Sequence, residues 1–381
     1  MSRPQNLFFR TLDYITNQRS TTNARYQLMK INNVIKTSCL LAAMSMGITG
    51  IAAAQDKLPD PDGKPADMSK PVQVFLIMGQ SNTLEMGKVT PELGKTYSFL
   101  ADDAGAWTTR KDVRNVSVMG GRTGIYRNDW LTISGNKIGI EIGIGQHLGN
   151  AIDAPVMILK SSIGNRSLGW DLLPPGTARY THDGKEVAGY REYTDGGKIL
   201  PYEEGVSKVI SKKGRSKGKE VSPWYAGKQY DDDVANAKMV LADLDKHYPG
   251  AKGYEVAGFL WWQGDKDMRN AAHAANYEKH LGLLLTALRK DFKAPKAAFV
   301  TASLGQTEES DTTSGHGIIL HAMKSFASGK YSKELGDNLG FVYTNPLSKG
   351  SSSSAHYGGN AETYMNVGLG MGKEMVKQIK K

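Results

Sequence analysis

An α/β protein with a mostly parallel sheet covered by helices on both faces is predicted by three features of this sequence. Five short apolar stretches, near residues 72, 156, 256, 298 and 340, read as buried strands. Helical patterns lie between them, and strands alternating with helices specify a parallel sheet with both faces covered. Polar or small-residue turns follow several of these strands directly, at the sheet edge where ligands bind in such folds.

At 381 residues the chain is long enough for two domains, although large single α/β domains are ordinary. An apolar content of 40% with 23% charged residues describes a globular chain rather than a disordered one. The formal charge of +10 raises the question of a polyanionic partner. Residues 1–54 hold six basic residues and one acid, so half of that charge lies there. The rest of the chain is weak evidence for nucleic acid.

The leading segment reads as an export signal. A short basic region opens at Met29-Lys30 and ends at Lys36, an apolar run covers 40–51, and Ala52-Ala53-Ala54 before Gln55 fits a small-residue cleavage site. The apolar run is too short to span a bilayer as a stable helix. Met29 is expected to be the true start. Cys39, the only cysteine, would leave with the signal, which excludes thiol catalysis, disulfides and thiolate metal sites from the mature chain. Residues 55–70, rich in Pro and Asp, read as a linker, and 71–381 as one domain with an insertion at about 176–230.

The first strand, Val72-Gln73-Val74-Phe75-Leu76-Ile77-Met78, breaks at Gly79 and delivers Gln80, Ser81 and Asn82 onto a turn. Ser81 there is either a helix N-cap or a nucleophile. Residues 84–130 show weak periodicity and predict a long surface excursion; Arg122 and Trp130 read as solvated loop residues, with a substrate cleft as the other reading. Apolar residues at helical spacing over 138–151 predict a helix, whose glycines imply close approach to the sheet. Gly143, Gly145 and Gly149 have the wrong spacing for a dinucleotide loop and no strand before them. The strand at 155–160 runs into a small-residue turn, where Gly164 is either a plain turn glycine or a point at which backbone N–H can approach a ligand.

The insertion carries a basic patch over 208–219. It includes Gly214-Arg215-Ser216-Lys217-Gly218, a chance match to a nucleophile elbow, because no buried strand precedes it. Asp231, Asp232 and Asp233 precede a helical face of Val234, Ala237, Val240, Leu241 and Leu244, and read as acids at a helix N-terminus rather than as a metal cluster. The strand 254–262 discharges into Gln263, Gly264, Asp265, Lys266 and Asp267; this is not a calcium loop, since Arg269 stands where the next oxygen ligand belongs. A helix over 274–292, a strand over 297–302, a helix near 318–328, a strand over 339–343 and a last helix over 361–380 complete the pattern. Of eight histidines, His356 is best placed for proton transfer, in a polar loop before the last helix. The others read as surface or structural.

Strand ends thus present Ser81, Gly164, Gln263 and Asp265, and His356 arrives late. A serine hydroxyl needs a base, the base needs an orienting partner, and the oxyanion needs fixed donors. Gly79-Gln80-Ser81-Asn82, the run from Trp261 to Asp267, and His356 together resemble the SGNH (GDSL-like) hydrolases over roughly residues 70–380. More narrowly they resemble the sialate O-acetylesterase / carbohydrate esterase family 6 group. The resemblance implies a flavodoxin-like three-layer α/β/α fold and deacetylation of sugar esters without a metal or other cofactor. It implies Ser81 as nucleophile and His356 as general base. The backbone N–H groups of Ser81 and Gly164 and the Gln263 side chain would form the oxyanion hole, with Gln80, Asn82, Asn165, Arg166 and Trp262 against the substrate.

Two departures stand out. Many of these enzymes carry Asp three residues before the histidine, where this chain has Ser353. The motif around Gln263 often reads H-Q-G-E, where this chain has Trp262 and Asp265. The expected triad is therefore Ser81–His356–Asp265, or a Ser–His dyad of reduced rate, with Asp267 a structural acceptor. The expected partner is an acetylated carbohydrate, without nucleic acid and without stable membrane insertion once the signal is removed. The competing readings are a catalytically impaired carbohydrate-binding protein on the same scaffold and a polyanion binder using residues 208–219.

Overall fold

The structure, a computed structural model, describes residues 66–118 and 124–381. The expected export signal, most of the lead-in over 55–70, and Arg122 lie outside those residues. Seven strands form the main sheet: β1 Val72–Gly79, β2 Thr109–Val118, β3 Ile125–Thr132, β4 Val156–Ser161, β5 Tyr254–Trp262, β6 Ala298–Ala302 and β7 Leu339–Val342. Their order is β7-β6-β5-β1-β4-β2-β3, and every pairing is parallel except β2 with β3. Setting aside the β2–β3 hairpin at one edge, the parallel strands in chain order lie 2-1-3-4-5, the flavodoxin-like arrangement. Its switch point falls between β1 and β5.

Five longer helices cover the faces: α1 Glu141–Ala151, α2 Lys228–Ala242, α3 Tyr277–Asp291, α4 Gly315–Phe326 and α5 Ala361–Gln378. Successive side chains of a strand point to opposite faces. In β1 this sends Val72, Val74, Leu76 and Met78 to one core, with α2, α3 and α4, and Phe75 and Ile77 to the other, with α1 and α5. Burial on both sides explains why the strand sequence is continuously apolar. The result is a three-layer α/β/α fold.

Helix α1 packs closely on α5. A Cβ on Gly143 would lie 2.5 Å from the backbone nitrogen of Leu369, so the two helix backbones meet without side chains between them. The glycines of α1 thus serve a helix–helix contact as well as the approach to the sheet seen at Gly145, which faces Leu131 and Ile158.

The region 84–130 departs from expectation. It is not a surface excursion throughout: β2 and β3 extend the main sheet, with Val113, Val116 and Val118 fully buried. Trp130 lies on β3, edge-on to Tyr248 at 5.2 Å with the Arg114 guanidinium 5.0 Å from its ring, so it packs against the protein. The expected insertion is built of short antiparallel hairpins, Tyr180–His182 with Lys185–Val187, Glu192–Asp195 with Lys198–Pro201, and Val209–Ile210 with Glu220–Val221. Helix α2 begins at Lys228, so Asp231 is an acid of its first turn as expected, while Asp232 and Asp233 lie just beyond; Asp232 pairs with Lys228 at 2.9 Å and Asp231 with Arg191 at 3.0 Å. Among the described residues no helix is long and apolar enough to cross a membrane.

Candidate active site

The turn after β1 places Ser81 at the start of a short 3-10 turn, Ser81–Thr83, beside the switch point of the sheet. Its Oγ lies 2.8 Å from Nε2 of His356, which arrives from 275 residues away on the 3-10 segment Ser353–Gly359. That segment is unusual. His356 and Tyr357 both have φ of +53° and Gly358 has +66°, so three residues in succession are left-handed. For the two non-glycines this costs about 1–3 kcal/mol each and persists only where neighbours hold it. Here the Tyr357 ring is stacked 5.7 Å from Trp262 and lies edge-on to Tyr364, and its hydroxyl accepts from the Gly305 N–H at 3.1 Å. A buried aromatic anchor thus fixes the imidazole next to it.

Gly164, from the turn after β4, reaches the same point. A Cβ there would stand 3.2 Å from Cβ of Ser81. Among the described residues, neither the backbone N–H of Ser81 nor that of Gly164 donates to a protein acceptor. Two free donors therefore sit beside one hydroxyl held by one imidazole.

Asp265 does not reach the imidazole. It is 7% exposed; one carboxylate oxygen accepts from Ser353 Oγ, and the other from Gln80 Nε2 and, at 3.3 Å, from Asn82 Nδ2. The expected direct Asp265–His356 bond is absent among the described residues. Asp265 instead ties together the two residues flanking Ser81 and the residue three positions before His356. Gln80 completes this tie by accepting the backbone N–H groups of Gly264 and Asp265, both at 3.1 Å.

The Gln263 amide is likewise committed. Its Nε2 donates to the Arg166 carbonyl at 2.8 Å and to Asp267 at 2.6 Å, while its Oε1 accepts from the Tyr277 hydroxyl. With both amide hydrogens used and the residue fully buried, Gln263 braces the turn that carries Gly164 instead of pointing at an oxyanion. Asp267 acts as the structural acceptor expected of it, taking the Leu168 and Gly169 N–H groups at 2.8 and 2.7 Å. Burial pushes its carboxyl up to about 6, against the pull of those donors.

Of the expected substrate contacts, Gln80, Asn82 and Trp262 are buried and engaged with protein; the Trp262 indole N–H donates to the Ser303 carbonyl at 2.9 Å. Asn165 is exposed, with φ of +56°, and Arg166 is half-buried beside it. Arg166 donates to Gln229 at 2.9 Å and stands 4.8 Å over the ring of Trp224, which is 39% exposed. Trp224 in turn donates to Asp171, and Asp171 accepts from Lys266 at 2.6 Å. Sequence reading missed Trp224, Asp171 and the Ser353 bond. Nothing local marks them, because each acquires its place from a partner more than 50 residues distant.

Residues 213–377 match the family described as carbohydrate esterase, sialic acid-specific acetylesterase; the span includes Gln263, Asp265 and His356, while Ser81 precedes it. No curated protein matches the sequence. Among solved structures, an Arabidopsis thaliana protein is similar with TM-score 0.44 and 12% identity, over 81% of this chain and 99% of its own. A carbohydrate acetylesterase from Xanthomonas citri gives 0.45 and 12%, over 79% of this chain and 55% of its own. The protein NanS gives 0.43 and 12%, over 82% and 98%. The match supports a carbohydrate esterase, a carboxylic ester hydrolase, over residues 213–377, less than half of the chain.

Proposed function

We propose that this protein removes O-acetyl groups from carbohydrates with Ser81 as nucleophile and His356 as general base. The reading is carried by one observation, the 2.8 Å contact between Ser81 Oγ and His356 Nε2 beside two free backbone N–H groups. As base, the imidazole carries its proton on Nδ1 and takes the serine proton at Nε2. Ser81 Oγ attacks the acetyl carbonyl, and the tetrahedral oxyanion is received by the N–H groups of Ser81 and Gly164. His356 then returns the proton to the departing sugar hydroxyl. Water, deprotonated by the same imidazole, cleaves the acetyl-serine to acetate and restores the hydroxyl.

In this proposal no carboxylate touches the base. Ser81 and His356 form a dyad, and Asp265 is a positioning residue that holds the nucleophile turn against the histidine segment. We also take the protein to be exported, from the basic, apolar and small-residue order of residues 29–55.

The engagement of Asp265 away from the imidazole equally suits a binding protein without turnover, and one assay separates the two. Acetate release from p-nitrophenyl acetate and acetylated polysaccharide is expected, with Ser81→Ala and His356→Ala each lowering kcat by about 10³-fold or more. Undiminished release by Ser81→Ala overturns the assigned nucleophile; wild-type protein that binds acetylated glycan but releases no acetate supports the second reading.

A further inference from the structure

We infer that the hairpin over residues 208–221 is a docking surface for the backbone of an anionic polysaccharide, placed to feed the Ser81 site; the inference deepens the esterase reading and rests on it for the fate of the bound chain.

Lys208, Lys212, Lys213, Arg215, Lys217 and Lys219 face one acid, Glu220, giving +5 on this hairpin. Residues 1–54 account for another half of the total +10, so the remainder of 55–381 is neutral overall. The positive excess of the folded part is thus gathered on one element. All six cations are exposed. Nearby cations are neutralised: Arg179 by Glu192 at 2.8 Å, Arg191 by Asp231 at 3.0 Å, Lys228 by Asp232 at 2.9 Å. Among the described residues none of the six hairpin cations has an acidic partner.

The hairpin is ordered by its own backbone. Val209 pairs with Val221 and Ile210 with Glu220, and the turn is closed by Ser211 N–H to the Lys219 carbonyl at 2.9 Å and Gly218 N–H to the Ser211 carbonyl at 2.8 Å. It contributes little to either core; Ile210 is 56% exposed. Six like charges held together on one small element repel one another. A ligand that neutralises them relieves that repulsion without first having to order the backbone.

The hairpin also leads to the site. From Val221 to Trp224 is three residues, at most about 10 Å. The Trp224 ring lies against Arg166 at 4.8 Å and Lys228 at 5.7 Å. Arg166 is two residues from Gly164, which abuts Ser81. A flexible polyanion lying along the hairpin therefore meets an exposed indole and the Arg166 guanidinium before it meets the nucleophile. Residues 208–221 contain no aromatic side chain on which bases could stack, and no apolar face that would enter a bilayer. A carboxylated or sulfated glycan is the polyanion that fits both the hairpin and an esterase site.

The test compares the full protein with a variant carrying Lys212→Gln, Lys213→Gln, Arg215→Gln and Lys217→Gln. Probes are acetylated pectin, acetylated glucomannan as the neutral polymer, p-nitrophenyl acetate, and immobilised alginate for retention, with duplex DNA and anionic phosphatidylserine vesicles as rival surfaces. Loss of alginate retention and a rise of about tenfold in KM for pectin are expected at low salt, the lower end of what focused charge supplies. The difference should close as salt screens it, while kinetics on glucomannan and p-nitrophenyl acetate stay unchanged. An unchanged KM for pectin, or hairpin-dependent binding to DNA or vesicles without a pectin effect, overturns the inference. Hairpin-dependent alginate retention by a protein releasing no acetate from any probe upholds the surface and sinks the esterase reading; acetate release with hairpin-independent retention does the reverse.

Discussion

Replacing Asp265 by asparagine separates two accounts of how the imidazole is held. The carboxylate accepts from Gln80, Asn82 and Ser353. Asparagine is nearly isosteric: its Oδ1 can keep Gln80 and Asn82, while its Nδ2 donates to a Ser353 hydroxyl that has rotated. All three neighbours retain partners, and only charge assistance is lost, so stability should fall by about 1–2 kcal/mol. If Asp265 positions the two catalytic segments, kcat should fall only about tenfold, the scale of a displacement well under 1 Å. Alanine instead strands buried donors, at about 1–3 kcal/mol for each, so Asp265→Ala should lose about 3–5 kcal/mol and most of its activity. Were Asp265 the direct partner of the imidazole, asparagine would impose the wrong tautomer and cost about 10⁴-fold in kcat. The assay is kcat for p-nitrophenyl acetate from about pH 5 to 9 on wild type and both variants, alongside urea midpoints. A 10⁴-fold loss in Asp265→Asn with near-native stability refutes the positioning role.

Two further outcomes follow from the same geometry. Gly164→Ala puts a methyl 3.2 Å from the Ser81 Cβ; kcat for p-nitrophenyl acetate should drop by about ten- to a hundredfold with the urea midpoint little changed, and full activity would deny that Gly164 adjoins the reacting centre. His280, 1% exposed, is held down to about 4, first by burial and then by His273. Its folded value lies below the unfolded one of about 6.5, so the stability it contributes is present above that pH and is lost as pH falls toward 4. His280→Leu should remove about 2–3 kcal/mol of that decline, read as urea midpoints at the two ends of the window; identical slopes for the two proteins would contradict it.

The five parallel strands were legible because a strand buried on both faces must be apolar at nearly every position, and β1, β4, β5 and β6 are. Strand β2, one in from the edge, escaped for the opposite reason. Its sequence, Thr109–Val118, mixes Arg, Lys, Asp and Asn with three valines. Its two arginines are held largely from other elements: Arg114 by Asn128 and the His247 carbonyl, Arg110 by Asn150 as well as by Asp112 beside it. A strand whose polar face is neutralised in this way looks, in one dimension, like a solvated loop.

The site divides along the same line. Sequence alone determined which strand ends carry chemistry-bearing residues, since a hydroxyl, an amide, two acids and a late histidine each follow or precede a recognisable element. Only the tertiary structure decided what those groups do to one another. Gln263 and Gln80 have the donors an oxyanion or a substrate would want, but buried amides must spend their hydrogen bonds on the protein, and theirs go to Asp267, the Arg166 carbonyl and Asp265. Asp265 is an acid beside a catalytic motif, yet its oxygens are filled by Gln80, Asn82 and Ser353 before the imidazole can claim one. Which acceptor meets which donor depends on distances between segments up to 275 residues apart, and no local pattern encodes them.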